Sequence, residues 1–288
     1  MEVLEITTWI GCKVACKYCP QSRLIKQYKS RGGDLVMSFD LFKRCLENTP
    51  RRVQIIFCGM CEPWLNPDCI EMVKFAFERG HRVAIETTLV GVTPAAIEKL
   101  GELQFEFIAL HLPSGEGLEQ IKVDKQYLEM LQAVASGRLP AKQMFFHYYG
   151  ASLHPEIQKL GIKASRISLM SRANNLGMQG VAQMPKRKGT IGCRRKMRYN
   201  VLMPNGDVLL CSHDYDMRHI LGNLLTGSYE SLFTGEEYQK VLEGLTDDKA
   251  EILCRYCENH AYQTKALPRL VEACGKALRR IRSRAGAV

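Results

Sequence analysis

The sequence predicts an α/β protein with a parallel sheet, and three observations lead to this fold class. Up to about residue 170, strand-like and helix-like segments alternate. The strand-like segments are short and several are nearly continuous in apolar residues, which is typical of parallel strands buried on both faces. Six such β/α units follow one another, so the chain predicts either a doubly wound sheet or a partial barrel.

The predicted strands are rich in β-branched or aromatic residues. They cover residues 3–8, 53–58, 82–87, 105–112, 143–149 and 165–170. Active sites of such folds lie at the carboxyl ends of the strands. We therefore expect functional side chains in the segments that follow each strand.

Apolar residues recur at helical spacing between these strands. Ser38 and Thr93 are typical N-cap residues, and Pro94 fits the first helical turn after Thr93. The predicted helices follow Ser38 and cover residues 68–78, 94–100, 125–135 and 155–160. Further along, the turn sequence Pro-Asn-Gly-Asp at residues 204–207 predicts a hairpin.

The composition is that of a globular chain, with 46% apolar and 24% charged residues. Every apolar run is shorter than the roughly 20 residues that span a bilayer, so we expect no membrane span. The first residues show no secretory signal, and we expect a cytoplasmic protein. Because thiols stay reduced there, the twelve cysteines favour metal ligation over disulfides.

The net charge of +10 comes from two stretches. Residues 186–198 carry seven basic side chains and no acid, and residues 264–288 carry seven basic side chains and one acid. The rest of the chain is slightly acidic, so we expect no nucleic-acid partner. Apolar residues on one helical face of the second stretch predict a basic amphipathic C-terminal helix.

Cys12, Cys16 and Cys19 follow the first predicted strand with the spacing C-x3-C-x2-C. Three thiolates on one tight loop can hold three corners of a cubane iron–sulfur cluster and leave the fourth iron without a protein ligand. A structural zinc site would need four ligands, and a bacterial ferredoxin would space its cysteines differently and add a fourth. The motif therefore favours a cluster whose open iron binds another molecule.

Tyr18 precedes the last of these cysteines, and the motif C-x3-C-x-aromatic-C resembles that of the radical S-adenosylmethionine (SAM) superfamily. The resemblance implies a partial (β/α)6 TIM-like barrel, a 4Fe–4S cluster on the three cysteines, and SAM bound to the open iron with Tyr18 at the cofactor site. It also implies cleavage of SAM to a 5′-deoxyadenosyl radical that abstracts hydrogen from a substrate. A flavodoxin- or ferredoxin-type protein would supply the electron.

Gly59 and Glu62 lie in the segment Phe-Cys-Gly-Met-Cys-Glu-Pro after the second predicted strand. This segment resembles the one that holds the methionine amino group of SAM in the superfamily, although Cys61 stands where a second glycine is usual. Glu86 ends the third predicted strand and is either a cofactor or substrate contact or a satisfied polar strand end. Arg172 follows the sixth strand and is a candidate contact to the carboxylate or ribose of SAM.

Cys193, Cys211 and the pair Cys254 and Cys257 form a second group. Their arrangement, C-x12-G-x4-C followed by C-x2-C, resembles the SPASM extension of one branch of the superfamily. The full extension has more cysteines and two auxiliary clusters, but Gln263 stands where the next cysteine is expected. The resemblance therefore implies one auxiliary 4Fe–4S cluster with these four ligands. The alternative is a structural zinc site.

The predicted organisation is a radical SAM partial barrel over residues 1–180, a SPASM-like auxiliary cluster domain over residues 181–263, and the basic helix over residues 264–288. The basic side chains around Cys193 would offset the charge of the auxiliary cluster or hold an anionic substrate. Cys58 and Cys61 lie at the cofactor end of the second strand. Cys61 is our candidate hydrogen donor to a substrate radical.

The leading hypothesis is a radical SAM oxidoreductase or epimerase that acts on an unactivated carbon of a small polar substrate, such as a sugar or an aminoglycoside. Peptide maturation is the second hypothesis. It ranks below the first because little sequence outside the two domains remains to recognise a leader peptide. A hypothesis of another class is a zinc-stabilised protein that binds nucleic acid or a partner, for which the basic C-terminal stretch gives some support.

Overall fold

Six parallel strands form the first part of the fold in the computed structural model, which describes residues 1–262. They are β1 (Val3–Ile6), β2 (Gln54–Phe57), β3 (Val83–Thr87), β4 (Ile108–Leu112), β5 (Met144–Tyr148) and β6 (Ser165–Arg166). Each strand pairs in parallel with the next, and each lies within a segment that the sequence predicts as a strand. The predicted α/β partial barrel is confirmed. The predicted helix over residues 264–288 and Cys274 lie outside the described residues.

Helices connect these strands. Within residues 1–262 the α-helices are α1 (Gln21–Arg31), α2 (Phe39–Glu47), α3 (Cys69–Glu78), α4 (Pro94–Leu100), α5 (Lys125–Ala135), α6 (Pro155–Gln158) and α7 (Glu236–Gly244). Ser38 and Thr93 cap α2 and α4 as predicted, because their hydroxyl oxygens accept backbone N–H groups at 3.2 and 3.1 Å. No helix of the described chain is long and apolar enough to cross a membrane.

Two of these helices, α1 and α7, were not predicted from the sequence. α1 follows Pro20 without a side-chain cap and buries only Leu24 and Tyr28, so its apolar pattern is weak. α7 follows Gly235, which also lacks a side-chain cap. Both helices are stabilised by packing against other elements rather than by strong local signals.

Alternate residues of β1 face the helices and the barrel lumen. Leu4 and Ile6 are fully buried in the main core with helix residues such as Phe42. On the other face, Val3 belongs to a small apolar cluster in the lumen, which contains Val3, Ile56, Cys58 and Ala84 with Phe107 and Tyr199 packed against it. Glu5 follows Val3 on this inner face, towards the carboxyl end of the strand.

The sheet continues into the C-terminal part of the described chain. β8 (Tyr199–Leu202) pairs in parallel with β1, and β9 (Asp207–Leu209) and β10 (Ile220–Asn223) add antiparallel strands beyond it. The result is one nine-stranded sheet in the order β10-β9-β8-β1-β2-β3-β4-β5-β6. Hydrogen bonding therefore crosses the domain boundary predicted between residues 180 and 181, which stays a prediction.

The predicted hairpin joins β8 to β9. Gly206 has a φ of +87°, and its N–H donates to the carbonyl of Met203 at 2.9 Å. A second, two-stranded sheet pairs β7 (Ile191–Cys193) with β11 (His260–Tyr262). This small sheet places Cys193 beside the segment that carries the last two cysteines of the second group.

Candidate functional site

A cavity of about 250 Å³ opens at the carboxyl ends of the parallel strands, and Cys12, Cys16 and Cys19 line it. Burial is the largest cause that raises the pKa of Cys12 to about 11 and that of Cys16 to about 12, and the charge of Cys19 contributes to both. The three thiols therefore line one cavity and interact electrostatically, as ligands of one iron cluster would. Its positive iron would favour the thiolate forms that burial disfavours.

Hydrogen-bond donors surround these sulfur atoms. The backbone N of Glu62 lies 3.3 Å from Cys12 Sγ, and Gln21 Nε2 lies 3.4 Å from Cys19 Sγ. The hydroxyl oxygen of Tyr215 lies 3.3 Å from the same Cys19 sulfur. N–H and O–H groups directed at sulfur stabilise thiolate ligands, so this donor set fits a cluster held by the three cysteines.

Gly59 allows the loop after β2 to lie against the end of β1. Its φ is +58°, and a Cβ atom here would lie 2.4 Å from Thr7 Oγ1 and 3.0 Å from the backbone N of Thr7. The next residue, Met60, donates its N–H to Thr7 Oγ1 at 3.0 Å. A larger residue would push the loop away from β1, so glycine is required here by packing.

Cys61 occupies the position where the resemblance expects glycine. Its sulfur accepts the backbone N–H of Thr8 at 3.2 Å and lies 3.7 Å from the carbonyl oxygen of Cys58. Burial raises the pKa of Cys61 to about 12, so the thiol keeps its proton. Cys61 therefore fits into the loop, and its role as a hydrogen donor stays a prediction.

Glu62 joins the loop after β2 to the end of β3. Its carboxylate is buried and accepts the hydroxyl groups of Thr87 and Thr88 and the backbone N–H of Thr88, each at 2.6 Å. The N–H of Trp64 adds a fourth bond at 3.5 Å. A carboxylate offers about four acceptor positions, so those of Glu62 are largely occupied. Its predicted contact to the amino group of SAM stays a prediction.

The inner face of the sheet brings two carboxyl groups into the same cavity, Glu5 from β1 and Glu86 from β3. Glu86 Oε2 lies 3.8 Å from Nε2 of His111, at the end of β4. Burial raises the pKa of Glu5 to about 7, with Glu86 adding to the rise and Arg195 opposing it. Burial acts on Glu86 in the same direction, but His111 and Arg195 outweigh it and lower its pKa. The inner face of the sheet thus adds to the cavity one ionised carboxylate and one carboxyl that titrates near neutral pH, beside Glu62 from the loop after β2.

Glu5 and Arg195 were not predicted as site residues. Glu5 is the only acid in the buried strand Val-Leu-Glu-Ile, and that isolated charge was the available signal. Arg195 belongs to the basic stretch around Cys193 and lies 3.9 Å from Glu5 Oε1, with its guanidinium 5.1 Å from the ring centre of Tyr199. The sequence could not show which basic residue of the stretch faces the cavity.

Tyr18 and Arg172 also line the cavity. The rings of Tyr18 and Tyr149 are 4.3 Å apart between centroids, and the Arg172 guanidinium lies 5.7 Å from the ring centre of Tyr215. Arg172 has a φ of +52°, in the left-handed region. The structure therefore gathers all the predicted cofactor residues around the three cysteines, while their contacts to SAM stay predictions.

The second cysteine group surrounds a smaller pocket of about 30 Å³. Its lining includes the four thiols and mostly apolar neighbours: Cys193, Cys211, Cys254, Cys257, Met197, Tyr199, Leu210 and Leu253. Burial raises the pKa of Cys254 to about 12 and that of Cys257 to about 11, with the charge of Cys193 adding to both. The structure thus brings together the four predicted ligands around one small pocket, which fits a fully ligated cluster.

Arg255 holds the segment between Cys254 and Cys257. Its side chain is 0% exposed and donates to the carbonyl oxygens of Gly244 at 3.2 Å, Arg187 at 2.9 Å and Gly189 at 2.8 Å. These bonds connect the end of α7 to the basic stretch before Cys193. Arg255 was not predicted as a site residue, because nothing in the sequence indicates that a charged residue between two cysteines is buried.

His213 separates the two sites and lines both. Its Nδ1 lies 3.6 Å from Cys257 Sγ and 4.0 Å from Glu258 Oε2. Burial lowers the pKa of His213 to about 4, with Arg172 and Arg195 contributing, so the imidazole is neutral near pH 7. The two cysteine sites therefore share a wall that contains His213 and Arg195.

The two cysteine groups lie in segments that match two known families. Residues 6–130 match the family described as the radical SAM superfamily, and residues 193–258 match SPASM, described as an iron–sulfur cluster-binding domain. The chain therefore belongs to the radical SAM superfamily and has a SPASM domain. The radical SAM family implies binding of SAM and of a 4Fe–4S cluster, and the SPASM family implies binding of an iron–sulfur cluster.

Two curated proteins resemble part of the chain. The dual-specificity RNA methyltransferase RlmN of Sulfurovum sp. (strain NBC37-1) is 32% identical over 134 residues, which are 42% of this chain and 36% of that protein. The tungsten-containing aldehyde ferredoxin oxidoreductase cofactor-modifying protein of Pyrococcus furiosus is 29% identical over 108 residues, or 36% and 28% of the two chains. The chain thus matches about a third of the length of these relatives.

Solved structures resemble nearly the whole chain. BtrN in complex with AdoMet and 2-DOIA has a TM-score of 0.61 and 17% identity, over 90% of this chain and 93% of its own. Native anSMEcpe with bound AdoMet has a TM-score of 0.59 and 13% identity, over 90% of this chain and 88% of its own. SuiB of Streptococcus suis bound to precursor peptide SuiA has a TM-score of 0.57 and 13% identity, over 83% and 66%. At these identities the likeness is one of fold.

Proposed function

We propose that the chain is a radical SAM oxidoreductase or epimerase that acts on a small polar substrate, such as a sugar or an aminoglycoside. The observation that carries the proposal is the single cavity in which the first three thiols meet Glu5, Glu86 and His111. When bound, the cluster and SAM supply the 5′-deoxyadenosyl radical that abstracts hydrogen from an unactivated carbon. A polar lumen beside that cofactor favours a hydroxylated or aminated substrate over an apolar one.

The residues of the cavity divide into proposed ligands and proposed cofactor contacts. The ligands of the SAM-binding cluster are Cys12, Cys16 and Cys19, and the cofactor contacts are Tyr18, Gly59, Glu62, Glu86 and Arg172. The side chain of Glu62 is engaged by Thr87 and Thr88. Its contribution in this proposal is to hold the loop whose backbone carbonyls accept hydrogen bonds from the amino group of SAM.

Two lumen carboxyl groups have distinct proposed roles towards the substrate. Glu86, kept ionised by His111 and Arg195, accepts hydrogen bonds from a hydroxyl or ammonium group. Glu5, with a pKa of about 7, accepts the proton that a hydroxyl group releases when its carbon is oxidised. The hydrogen atom on that carbon would go to the 5′-deoxyadenosyl radical, and the auxiliary cluster would accept the remaining electron. Glu5 lies beside Arg195, which favours its return to the ionised form.

The second site is proposed to hold one auxiliary 4Fe–4S cluster on Cys193, Cys211, Cys254 and Cys257. Because four thiols complete its ligand set and the pocket is small, it suits electron transfer or structure rather than substrate binding. The proposed electron donor to the enzyme is a flavodoxin- or ferredoxin-type protein. Thiolate ligands and free cysteines suit a reducing compartment, which we propose is the cytoplasm.

Epimerisation would need a hydrogen donor, and two thiols line the cavity besides the three proposed cluster ligands, namely Cys58 and Cys61. Cys61, our proposed donor, has its sulfur engaged with Thr8, whereas Cys58 lies on the inner face of the sheet with Ile56 and Ala84. Anaerobic turnover in deuterated water distinguishes the outcomes. Solvent deuterium at carbon, lost in Cys61→Ala and kept in Cys58→Ala, supports Cys61; the reverse pattern assigns Cys58. Loss of two hydrogens from the substrate indicates oxidation.

The test of the proposal is anaerobic reconstitution followed by turnover with sugars and aminoglycosides. We expect about eight irons per chain, a brown chromophore and substrate-dependent formation of 5′-deoxyadenosine. Stoichiometric zinc without a chromophore would instead support the zinc-stabilised binding protein. Cleavage of SAM with no product from any polar small molecule would remove the substrate part of the proposal.

Peptide maturation is the second candidate, and the observation that favours it is the similarity in fold to SuiB, which was solved bound to precursor peptide SuiA. The same turnover assay with short peptides separates the two candidates. A mass change in a peptide, with no reaction of sugars or aminoglycosides, would favour peptide maturation.

A further inference from the structure

A side chain from the C-terminal part of the chain completes the surroundings of the first cysteine site. Tyr215 follows the auxiliary ligand Cys211 by four positions, yet its hydroxyl oxygen lies 3.3 Å from Sγ of Cys19, 196 residues away in sequence. Gln21 Nε2 approaches the same sulfur at 3.4 Å. Cys19 is therefore approached by one donor from its own loop and by one from the SPASM domain.

The tyrosine ring is held firmly in this position. It is 2% exposed and packs in an apolar cluster of Ile10, Leu24, Tyr28, Met60, Val201, Met203, Leu209 and Met217. The preceding Asp214 accepts the backbone N–H groups of Arg218 at 2.9 Å and His219 at 2.8 Å. Asn175 Nδ2 donates to the carbonyl oxygen of His213 at 2.7 Å. These hydrogen bonds hold the loop that contains Tyr215, because they join it to residues before and after it in the chain.

The direction of the hydrogen bond follows from the chemistry of the ligand. A cysteine bound to iron is a thiolate without a proton, so the sulfur can only accept and the phenol donates. Hydrogen bonds to the sulfur atoms of iron–sulfur clusters stabilise the more negative, reduced form and raise the reduction potential.

We propose that Tyr215 is a positioning residue through which the SPASM domain raises the reduction potential of the SAM-binding cluster, by a hydrogen bond from its hydroxyl to Cys19. This inference rests on the proposed function, because it requires Cys19 to be a ligand of that cluster. Its consequence is that the two domains are coupled at the cofactor as well as through the shared sheet.

The test is Tyr215→Phe in the full chain, reconstituted anaerobically and titrated with reductant while the clusters are followed by electron paramagnetic resonance. The signal that changes on addition of SAM belongs to the first cluster. We expect its potential to become more negative, with about a fivefold lower ratio of reduced to oxidised cluster at a fixed solution potential. Iron content and the potential of the other cluster stay unchanged.

Tyr28→Phe is the matched control. Tyr28 packs in the same apolar cluster, but its hydroxyl donates to the carbonyl oxygen of Asp34 at 2.8 Å. We expect the reduction potential of the first cluster in Tyr28→Phe to equal that in the unmodified chain. A Tyr215→Phe chain with full iron content and an unchanged potential overturns the inference and leaves the proposed function standing. A wild-type chain with no SAM-sensitive cluster overturns both.

A second substitution keeps the test valid if Tyr215→Phe folds poorly. Incorporation of 3-fluorotyrosine at position 215 preserves the shape of the ring and makes its hydroxyl a stronger donor. We expect the potential of the first cluster to become more positive. An unchanged or more negative potential in this chain counts against the inference.

Discussion

The two cysteine sites of this chain differ in what their thiols face. The first has three thiols at the edge of a cavity of about 250 Å³, shared with carboxyl and imidazole side chains. The second has four thiols around a pocket of about 30 Å³ with mostly apolar neighbours. An incomplete ligand set beside a large cavity can bind a reacting molecule, whereas a complete set around a small pocket cannot. We therefore propose that similar ligands serve two purposes according to their surroundings.

The backbone explains this difference. The first group lies on the loop after β1, at the carboxyl ends of parallel strands, where side chains from several strands converge. The second group lies on β7, on the segment after β9 and on a short helical turn, which the buried Arg255 connects to α7. Irregular segments that pack closely around four thiols leave no room for a substrate.

The largest effects are expected when one cysteine ligand is removed from each site in turn, because the two losses have different consequences. Cys12→Ala should abolish formation of 5′-deoxyadenosine and lower the iron content from about eight to about four per chain. Cys193→Ala should lose a similar amount of iron but keep SAM cleavage with a chemical reductant. Iron analysis and chromatography of the nucleoside products measure both. If Cys12→Ala still cleaves SAM, the assignment of the first site is wrong.

A smaller effect is expected from Arg255→Met, which leaves three carbonyl oxygens without their donor. We expect a loss of about 3 kcal/mol in the free energy of unfolding and loss of iron from the second site only. Denaturant titration and iron analysis measure these changes, and Arg138→Met, on an exposed residue, is the control. Equal loss of iron from both sites would show that iron binding at the first site also depends on Arg255.

Glu62→Gln tests how the first site is held together. The amide keeps the size of the side chain but removes one acceptor oxygen and the negative charge, so we expect a loss of about 2 kcal/mol in stability. SAM should bind more weakly while the iron content stays the same. Glu71→Gln, on the exposed side of α3, is the matched control. A normal KM for SAM in Glu62→Gln would show that the loop held by Glu62 does not contribute to SAM binding.

The smallest effect concerns pH. A carboxyl whose pKa is raised in the folded chain binds its proton more tightly there than in the unfolded chain. The contribution of Glu5 to stability is therefore present below pH 4.5 and is lost as the pH rises towards about 7. Glu5→Gln removes this pH dependence. Its free energy of unfolding relative to that of wild type should therefore rise by about 2 kcal/mol between pH 4.5 and about 7.

Thermal unfolding of both chains across this pH range measures the gain. Glu47→Gln, on an exposed position of α2, is the charge control. A constant difference between Glu5→Gln and wild type would show that folding does not raise the pKa of Glu5. Glu5 and Glu86 would then both be ionised near neutral pH.

Local signals predicted much of the fold. All six barrel strands lie where β-branched and apolar runs indicated, and the caps at Ser38 and Thr93 form as expected. α1 and α7 were missed because each begins without a side-chain cap. The pairing of β8 with β1 was also missed, since it joins segments almost two hundred residues apart and leaves no local pattern.

The sequence by itself indicated the superfamily of this chain, because cysteine spacing on short segments is a local property. The β/α repetition indicated a parallel sheet, and the resemblance to the superfamily implied the partial barrel. Only the tertiary structure decided that Glu5 and Arg195 meet across the cavity and that Tyr215 reaches Cys19. Such contacts join residues distant in sequence, and their geometry depends on how the sheet closes and how the second domain packs on it.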